Sequence, residues 1–256
     1  MIRDIFDLSG QKAIVTGGGS GIGKHLCKIL DSCGVQVAVV DINEDAAHET
    51  KNELDNISRK HTYYKCDVSE PESVNMTINS IYNEFERFDI LINNAGINIT
   101  KPTLDLTKSE WQNVINTNLN SIFYVSQSVG KYMIEHKYGK ILNIASIFGI
   151  ITSQMHYAIA YNTAKAGVIN FTRSLATEWA LHNIYVNALA PGMIKTALTE
   201  HRFSDKEYYN KWISNIPLNR LGTVNDLSGP CIFLISKASN YVTGHTLVVD
   251  GGYISW

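Results

Sequence analysis

The segment Thr16-Gly17-Gly18-Gly19-Ser20-Gly21-Ile22-Gly23 directly follows an apolar run, Lys12 to Thr16, and opens an amphipathic stretch. A strand, a glycine-rich turn and a helix in that order bring backbone N–H groups to the partially positive end of the helix, where a pyrophosphate can sit. Glycines let the chain turn sharply there and approach the phosphates closely. Turns and linkers also collect glycine, so the residues beyond the loop have to decide between the two. The second apolar run, Val35 to Val40, ends in Asp41, at about the distance from the loop where an acidic residue meets an adenosine ribose. A carboxylate accepts from both ribose hydroxyls and repels a 2'-phosphate, while Ser20 and Ile42 offer such a phosphate no positive charge. Gly17, Gly19, Ser20, Gly21, Ile22, Gly23, Asp41 and Ile42 therefore predict a site for NAD rather than NADP. Asp41 can equally be a polar strand end that caps the next helix. The two roles are compatible.

Short Val- and Ile-rich runs keep alternating with helix-length amphipathic stretches toward the C-terminus, the pattern of βαβ units around a parallel sheet. Strands are expected at Lys12 to Thr16, Val35 to Val40, Tyr63 to Cys66, Ile90 to Asn93, Lys140 to Ala145, Ile184 to Leu189 and Leu247 to Val249. Several are apolar without alternation, as strands covered on both faces are. The fold class is α/β: a single doubly wound, Rossmann-type domain over residues 1–256, with a seven-stranded parallel sheet and helices on both faces. No Pro/Ser-rich linker marks a second domain. Ser69 with Glu72 reads as a capping box, with Pro71 near the first turn. Residues 193–217 break the series. After Pro191-Gly192 the chain lacks a strand pattern and mixes Phe203, Tyr208, Tyr209 and Trp212 with charges of both signs. This composition fits a mobile helical flap over a site, or a plain surface excursion.

With 256 residues, 45% of them hydrophobic, the chain can bury a large core. Its net charge of -2 lacks the clustered basic excess of nucleic-acid binders. The four cysteines, Cys27, Cys33, Cys66 and Cys231, have no C-x-x-C spacing, and the eight histidines no zinc-like pairing. No metal is expected, and the cysteines read as free thiols. The N-terminus carries Arg3, Asp4 and Asp7 in place of an apolar leader, and no segment reaches the length needed to span a bilayer. The expectation is a soluble, cytoplasmic protein with a small-molecule partner and neither nucleic acid nor membrane.

Several further motifs stand in a fixed order: Asp67-Val68 after the third strand, Asn93-Asn94-Ala95-Gly96 after the fourth, Asn118, Ser146, Tyr161-x-x-x-Lys165 and Pro191-Gly192. With the T-G-x-x-x-G-x-G loop, they make the chain resemble the classical short-chain dehydrogenase/reductase family over nearly its whole length. Within that family it is similar to sugar-acid and polyol dehydrogenases, such as gluconate 5-dehydrogenases and 2-deoxygluconate 3-dehydrogenases, notably over Glu178 to Thr196 and Asn240 to Tyr253. The resemblance implies that Asp67 and Val68 line the adenine pocket and that Asn94, Ala95 and Gly96 support the central sheet beside the adenosine ribose. It also implies that Pro191, Gly192, Ile194 and Thr196 meet the carboxamide end of nicotinamide and the pyrophosphate. Asn118 resembles the family asparagine that kinks its helix and anchors a proton-relaying water chain. Asn113, Asn116 and Asn120 are close decoys, and Asn118 is preferred because Leu119 follows it. Family members commonly form homotetramers through the helices containing Asn118 and Tyr161 and through the C-terminal strand. The apolar ending Thr246 to Trp256 is consistent with burial against another subunit.

Hydride leaves a carbinol carbon as the hydroxyl proton departs, so oxidation needs a base close to deprotonation at working pH. Free tyrosine, with a pKa of about 10, is too weak an acid for this. Lys165 lies one turn beyond Tyr161 on the same helix face, so its charge is expected to lower that pKa while its amine holds the nicotinamide ribose. Tyr157, followed one turn later by Tyr161, has no such partner. Ser146 is placed to hydrogen-bond the substrate oxygen. The connection from Ser146 to Tyr161 is two residues longer than the family's, which leaves Ser153 as a rival. Gln154, His156 and Tyr157 are candidate substrate contacts suited, with Asn98 and Thr100, to a hydroxylated molecule; His156 can equally be an exposed loop residue. A second enzyme reading is a 3-oxoacyl carrier-protein reductase, with Lys131 and Arg173 as docking charges. A third, from another class, is a non-catalytic dinucleotide sensor, which predicts loss of the acid/base pair.

Overall fold

The computed structural model describes residues 2–54, 59–153, 157–196 and 205–255. A one-turn helix, α1 (Ile2–Ile5), precedes a regular alternation: β1 (Lys12–Thr16), α2 (Gly21–Ser32), β2 (Gln36–Asp41), α3 (Glu44–Asn52), β3 (Thr62–Lys65), α4 (Pro71–Phe85) and β4 (Ile90–Asn93). After α5 (Lys108–Ile115) and α6 (Ser121–His136) come β5 (Gly139–Ile144), α7 (Ile159–Trp179) and β6 (Ile184–Pro191). The chain closes with β7 (Ile194–Lys195), α8 (Lys206–Ile213), β8 (Gly222–Thr223), α9 (Ser228–Ile235) and β9 (Thr246–Val249).

Seven strands form one parallel sheet in the order β3-β2-β1-β4-β5-β6-β9. All seven expected strands are present, β1 and β4 with the expected ends and the others with ends shifted by one or two residues. β1 shows why they form. Ala13, Ile14 and Val15 are all fully buried, and their alternate side chains supply two different cores. Ala13 and Val15 join Leu26, Leu30 and Leu234 of α2 and α9 on one face; Ile14 joins Val125, Val129 and Ile81 of α6 and α4 on the other. Strand order reverses at β1, whose neighbours are β2 and β4. Such a switch point opens a crevice beyond the carboxyl ends of the strands, which is where ligands of open α/β sheets bind.

Two local expectations are corrected. Glu70, not Ser69, is the N-cap of α4 and makes no side-chain cap bond. Pro71 occupies the first helical position and keeps the residue before it extended, so the cap falls one residue later than the pattern suggested. Ser69 is held by Asp67 instead, its N–H and hydroxyl both donating to Asp67 Oδ1 at 2.9 and 2.6 Å. Second, the 193–217 segment does contain a strand, since β7 pairs with β8 through Ile194–Gly222 and Lys195–Thr223. Two residues are too few to print a sequence pattern. Tyr253 and Ile254 of the C-terminal turn, both partly buried, pack against the cluster that holds Trp212; Trp256 lies outside the described residues. All four cysteines are free. No helix among the described residues is long and apolar enough to cross a membrane.

Lys140, at the start of β5, is fully buried. Its ammonium donates to Asn240 Oδ1 at 3.0 Å and Ser239 Oγ at 3.3 Å and lies 3.7 Å from the Tyr185 ring centroid. Those partners are neutral, and burial pushes the amine down to about 8. An unfolded lysine holds its proton up to about 10.4. Between those values the unfolded chain binds more protons than the folded one, so this group makes stability rise with pH there and costs stability below. The urea midpoint is therefore expected to depend less steeply on pH, between about 8 and about 10, in Lys140→Met than in the unsubstituted protein. Parallel midpoint curves would refute the assignment.

Candidate active site

The loop after β1 and the loop after β4 meet at the switch point. Thr16 Oγ1 accepts from the N–H groups of Asn94 and Ala95 at 3.1 and 3.2 Å. Asn94 Nδ2 reaches back to the carbonyls of Thr16 and Gly17, at 3.1 and 3.0 Å. Gly17 adopts a φ of 63°, and a Cβ on it would lie 2.8 Å from Ala95 Cα. A Cβ on Gly23 would lie 2.0 Å from the Gly17 carbonyl oxygen, so only glycine lets α2 start this close to the strand. Ser20, exposed, is the N-cap of α2 and makes no side-chain cap bond, which leaves the first N–H groups of a 12-residue helix to an anion. Ile22 packs against the core behind the loop.

Asp41 ends β2 beside this loop. Its Oδ2 accepts from Gly19 N–H and its Oδ1 from Asn43 N–H, both at 2.9 Å. The cap of α3 is Asn43, which accepts from Ala46 N–H, so Asp41 fixes the turn without capping the helix. Ile42 beside it is 62% exposed. Cys66 N–H donates to the Asp41 carbonyl at 2.9 Å, bringing Asp67 and the buried Val68 to the same edge. Across the crevice, Gly192 N–H donates to the Val249 carbonyl, and a Cβ on Gly192 would lie 2.7 Å from Asp250 Cα. Pro191 ends β6, Ile194 is buried, and Thr196 comes within 4.0 Å of a Cβ built on Gly21. The Pro191 to Thr196 segment thus reaches the mouth of α2. A tight glycine cradle, an uncapped helix start and a fixed carboxylate together fit a dinucleotide.

The second half of the site stands at the ends of β5 and α7. Ser146 Oγ accepts from Phe148 N–H at 3.1 Å, capping the 3-10 turn Ile147–Gly149, and the same side chain hydrogen-bonds Tyr161. The longer connection therefore still brings Ser146 to the phenol. Ser153 lines a groove of about 280 Å³ with Lys101, Thr103, Tyr157 and Asn162, a groove that includes neither Tyr161 nor Lys165. Tyr157 is 62% exposed, and its carbonyl accepts from Lys101 N–H. Gln154 and His156 lie outside the described residues. Lys165 is buried, donates to the Ile144 carbonyl at 2.7 Å, and has its Nζ 5.6 Å from the Tyr161 ring centroid.

Two effects act on Tyr161 in the chain by itself. Burial pushes the phenol up, and the hydrogen bond from Ser146 pulls it down. Burial also lowers Lys165, to about 8, so the amine still carries its proton at neutral pH and can lose it just above. Asn118 lies in a π-helical turn, Asn116–Asn120, between α5 and α6. A π-turn is a place where a helix can bend. Its Nδ2 donates to the carbonyls of Ile97 and Val114, at 2.8 and 2.9 Å. Its Oδ1 is buried with no partner among the described residues, and a Cβ on Gly96 would lie 2.6 Å from that oxygen and 3.7 Å from Lys165 Nζ. Asn118, Gly96 and Lys165 therefore lie together.

Sequence reasoning missed the polar support beneath this floor. Asn93 Nδ2 donates to Asn143 Oδ1 and Ser126 Oγ, and Asn143 Nδ2 donates to Thr172 Oγ1. The signal was there to read: an asparagine at the same register in two wholly buried strands, Asn93 opposite Asn143, has to find a partner.

The model of the family described as enoyl-(acyl carrier protein) reductase matches residues 17–254. A 2-dehydro-3-deoxy-D-gluconate 5-dehydrogenase of Bacillus subtilis (strain 168) is 38% identical over 99% of this chain and 98% of its own length. A 3-oxoacyl-(acyl-carrier-protein) reductase of Chlamydia pneumoniae is 39% identical over 96% of this chain and 97% of its own. Among solved structures, a gluconate 5-dehydrogenase from Burkholderia cenocepacia J2315, in complex with NADP and tartrate, covers 100% of both chains at a TM-score of 0.95 and 32% identity.

Proposed function

The chain belongs to the short-chain dehydrogenase/reductase family, and we propose that it is an NAD-dependent dehydrogenase of a small sugar acid, polyol or similar hydroxylated molecule. Membership makes it an oxidoreductase that binds a nicotinamide dinucleotide and acts on hydroxyl groups. The observation that carries the finer reading is the Asp41 carboxylate, tied by Gly19 and Asn43 at the edge of the glycine loop. A carboxylate so placed favours a ribose diol over a 2'-phosphate.

In this reading the bound dinucleotide supplies the hydride acceptor. The hydroxyl of Ser146 holds the substrate oxygen, and Tyr161 takes the carbinol proton in oxidation and returns it in reduction. Lys165 is anchored on the Ile144 carbonyl with its Nζ 5.6 Å from the Tyr161 ring centroid, where an amine lowered to about 8 would both hold a ribose hydroxyl and pass a proton on. Asn118 Oδ1, the unpaired acceptor beside Gly96, is the natural next station toward solvent. Asp67, Val68, Asn94, Ala95 and Gly96 would hold the adenosine half, and Pro191, Gly192, Ile194 and Thr196 the nicotinamide half. The described parts of the 193–217 segment, Met193 to Thr196 and Asp205 to Pro217, would belong to a substrate flap; residues 197–204 lie outside the described residues. A homotetramer belongs to the same proposal, supported by Phe123 and Ile159, 46% and 42% exposed on the helices that carry Asn118 and Tyr161.

The relative from Chlamydia pneumoniae keeps a 3-oxoacyl carrier-protein reductase as the second reading. Lys131, its proposed docking charge, is exposed and held by Asn79 Oδ1 and the Tyr132 ring, neither of which neutralises it. A non-catalytic sensor would not need the Tyr161 and Lys165 that the chain retains. Comparing turnover of NAD with gluconate, related sugar acids and polyols against NADPH with acetoacetyl thioesters separates the enzyme readings. The first pair is expected to be faster; preference for the second would overturn the proposal.

A further inference from the structure

Helix α8 contributes one side chain that the proposed reaction does not use. Trp212 is wholly buried and packs with Ile147, Phe148, Tyr161, Tyr208 and Tyr253. It meets Phe148 and Tyr208 edge-on with ring centroids 6.1 Å away, and Tyr253 at a tilt of 32° and 5.9 Å. Ile147 and Phe148 belong to the turn that Ser146 caps, so the indole leans on the structure that positions both the serine hydroxyl and the phenol.

Its Nε1–H has no hydrogen-bond partner among the described residues. Buried indole N–H groups usually find an acceptor, because an unpaired donor has given up water for nothing. A purely apolar wall would be served as well by phenylalanine. A donor kept unpaired next to the proposed acid/base group has a use if the acceptor arrives with the substrate.

We propose that Trp212 is a specificity-determining residue, its indole N–H donating to an oxygen of a hydroxylated substrate held between it and Tyr161. This rests on the sugar-acid or polyol reading of the site. A substrate lacking that oxygen leaves the N–H as it stands in the free protein and gains nothing from it, which is how a site built to pair a hydroxyl rejects the analogue without one.

Trp212→Phe keeps an aromatic ring in the cluster and removes the donor together with the rest of the indole's second ring; the packing loss falls on every substrate, the lost donor only on a hydroxylated one. The substitution is expected to lower kcat/KM for gluconate, or for the best hydroxylated substrate of the panel, by about tenfold or more, and to leave cyclohexanol within about twofold. NADH affinity measured in parallel reports whether the variant is folded. Indole N–H resonances of the unsubstituted protein, which has four tryptophans, give an independent reading. Addition of gluconate to the NADH complex is expected to shift the Trp212 signal downfield, and cyclohexanol is not. Equal losses on both substrates, or a signal that gluconate leaves in place, would reduce Trp212 to a packing residue and overturn the proposal while sparing the sugar-acid reading. Turnover of cyclohexanol with none of any sugar acid or polyol would remove that reading, and this inference with it.

Discussion

Tyr161→Phe is expected to lower kcat by about a thousandfold or more while NADH affinity changes by less than about threefold. The phenol is the only polar atom removed. It shares a hydrogen bond with Ser146 and stands within 5.6 Å, ring centroid to Nζ, of Lys165, while the glycine loop and Asp41 that hold the dinucleotide are untouched. General acid/base groups contribute about 10² to 10⁴ in rate, and the upper end applies here because no described side chain is placed to substitute. Tyr157 cannot take over, being 62% exposed on the groove side of the chain. Stopped-flow hydride transfer together with NADH fluorescence titration separates the two effects; retained turnover would remove Tyr161 from the reaction.

The second large effect is expected from Asp41→Ala. Loss of a charged acceptor for two ribose hydroxyls should lower kcat/KM with NAD by about a hundredfold, since each hydrogen bond to a charged group contributes about 1.5–3 kcal/mol and part is recovered by water. With NADP the same substitution removes a like-charge repulsion, so activity should hold or rise and the preference should narrow or invert. Part of the loss will be structural, because Gly19 and Asn43 also lose their acceptor. That part falls equally on both dinucleotides, so the ratio of the two kcat/KM values isolates the ribose contact. An unchanged ratio would mean that Asp41 shapes the turn and does not read the cofactor.

Much of this architecture was legible in the sequence because it depends on burial and on backbone geometry. β1, β4 and β5 are covered on both faces, so their apolar runs mark them almost residue by residue. Gly17 and Gly23 were legible because a Cβ at either position would strike backbone, a constraint that selects the residue type outright. The two-residue ladder between β7 and β8 is too short for any periodicity to record. Ser69 misled because its spacing to Glu72 fits a capping box, whereas Pro71 moved the helix start by one residue.

The acidity of Tyr161 was only partly legible, because spacing does not record burial. A lysine one turn away suggests a charge, but how much charge survives depends on how deeply both groups are buried. Trp212 was noted only as one aromatic among several in an irregular segment. Its place against Phe148 and Tyr161 depends on how α8 folds back over the turn after β5.

The proposed chemistry requires Ser146, Tyr161 and Lys165 to act on a substrate laid against a dinucleotide held by the glycine loop and Asp41. A crystal structure with NADH and a non-reactive substrate analogue is the sharpest check on it. The pyrophosphate is expected at the start of α2, the Asp41 carboxylate on the adenosine ribose, and the analogue's oxygen within hydrogen-bond distance of both the Tyr161 and Ser146 hydroxyls. A nicotinamide ring remote from Tyr161, or an analogue bound without contact to either hydroxyl, would contradict it.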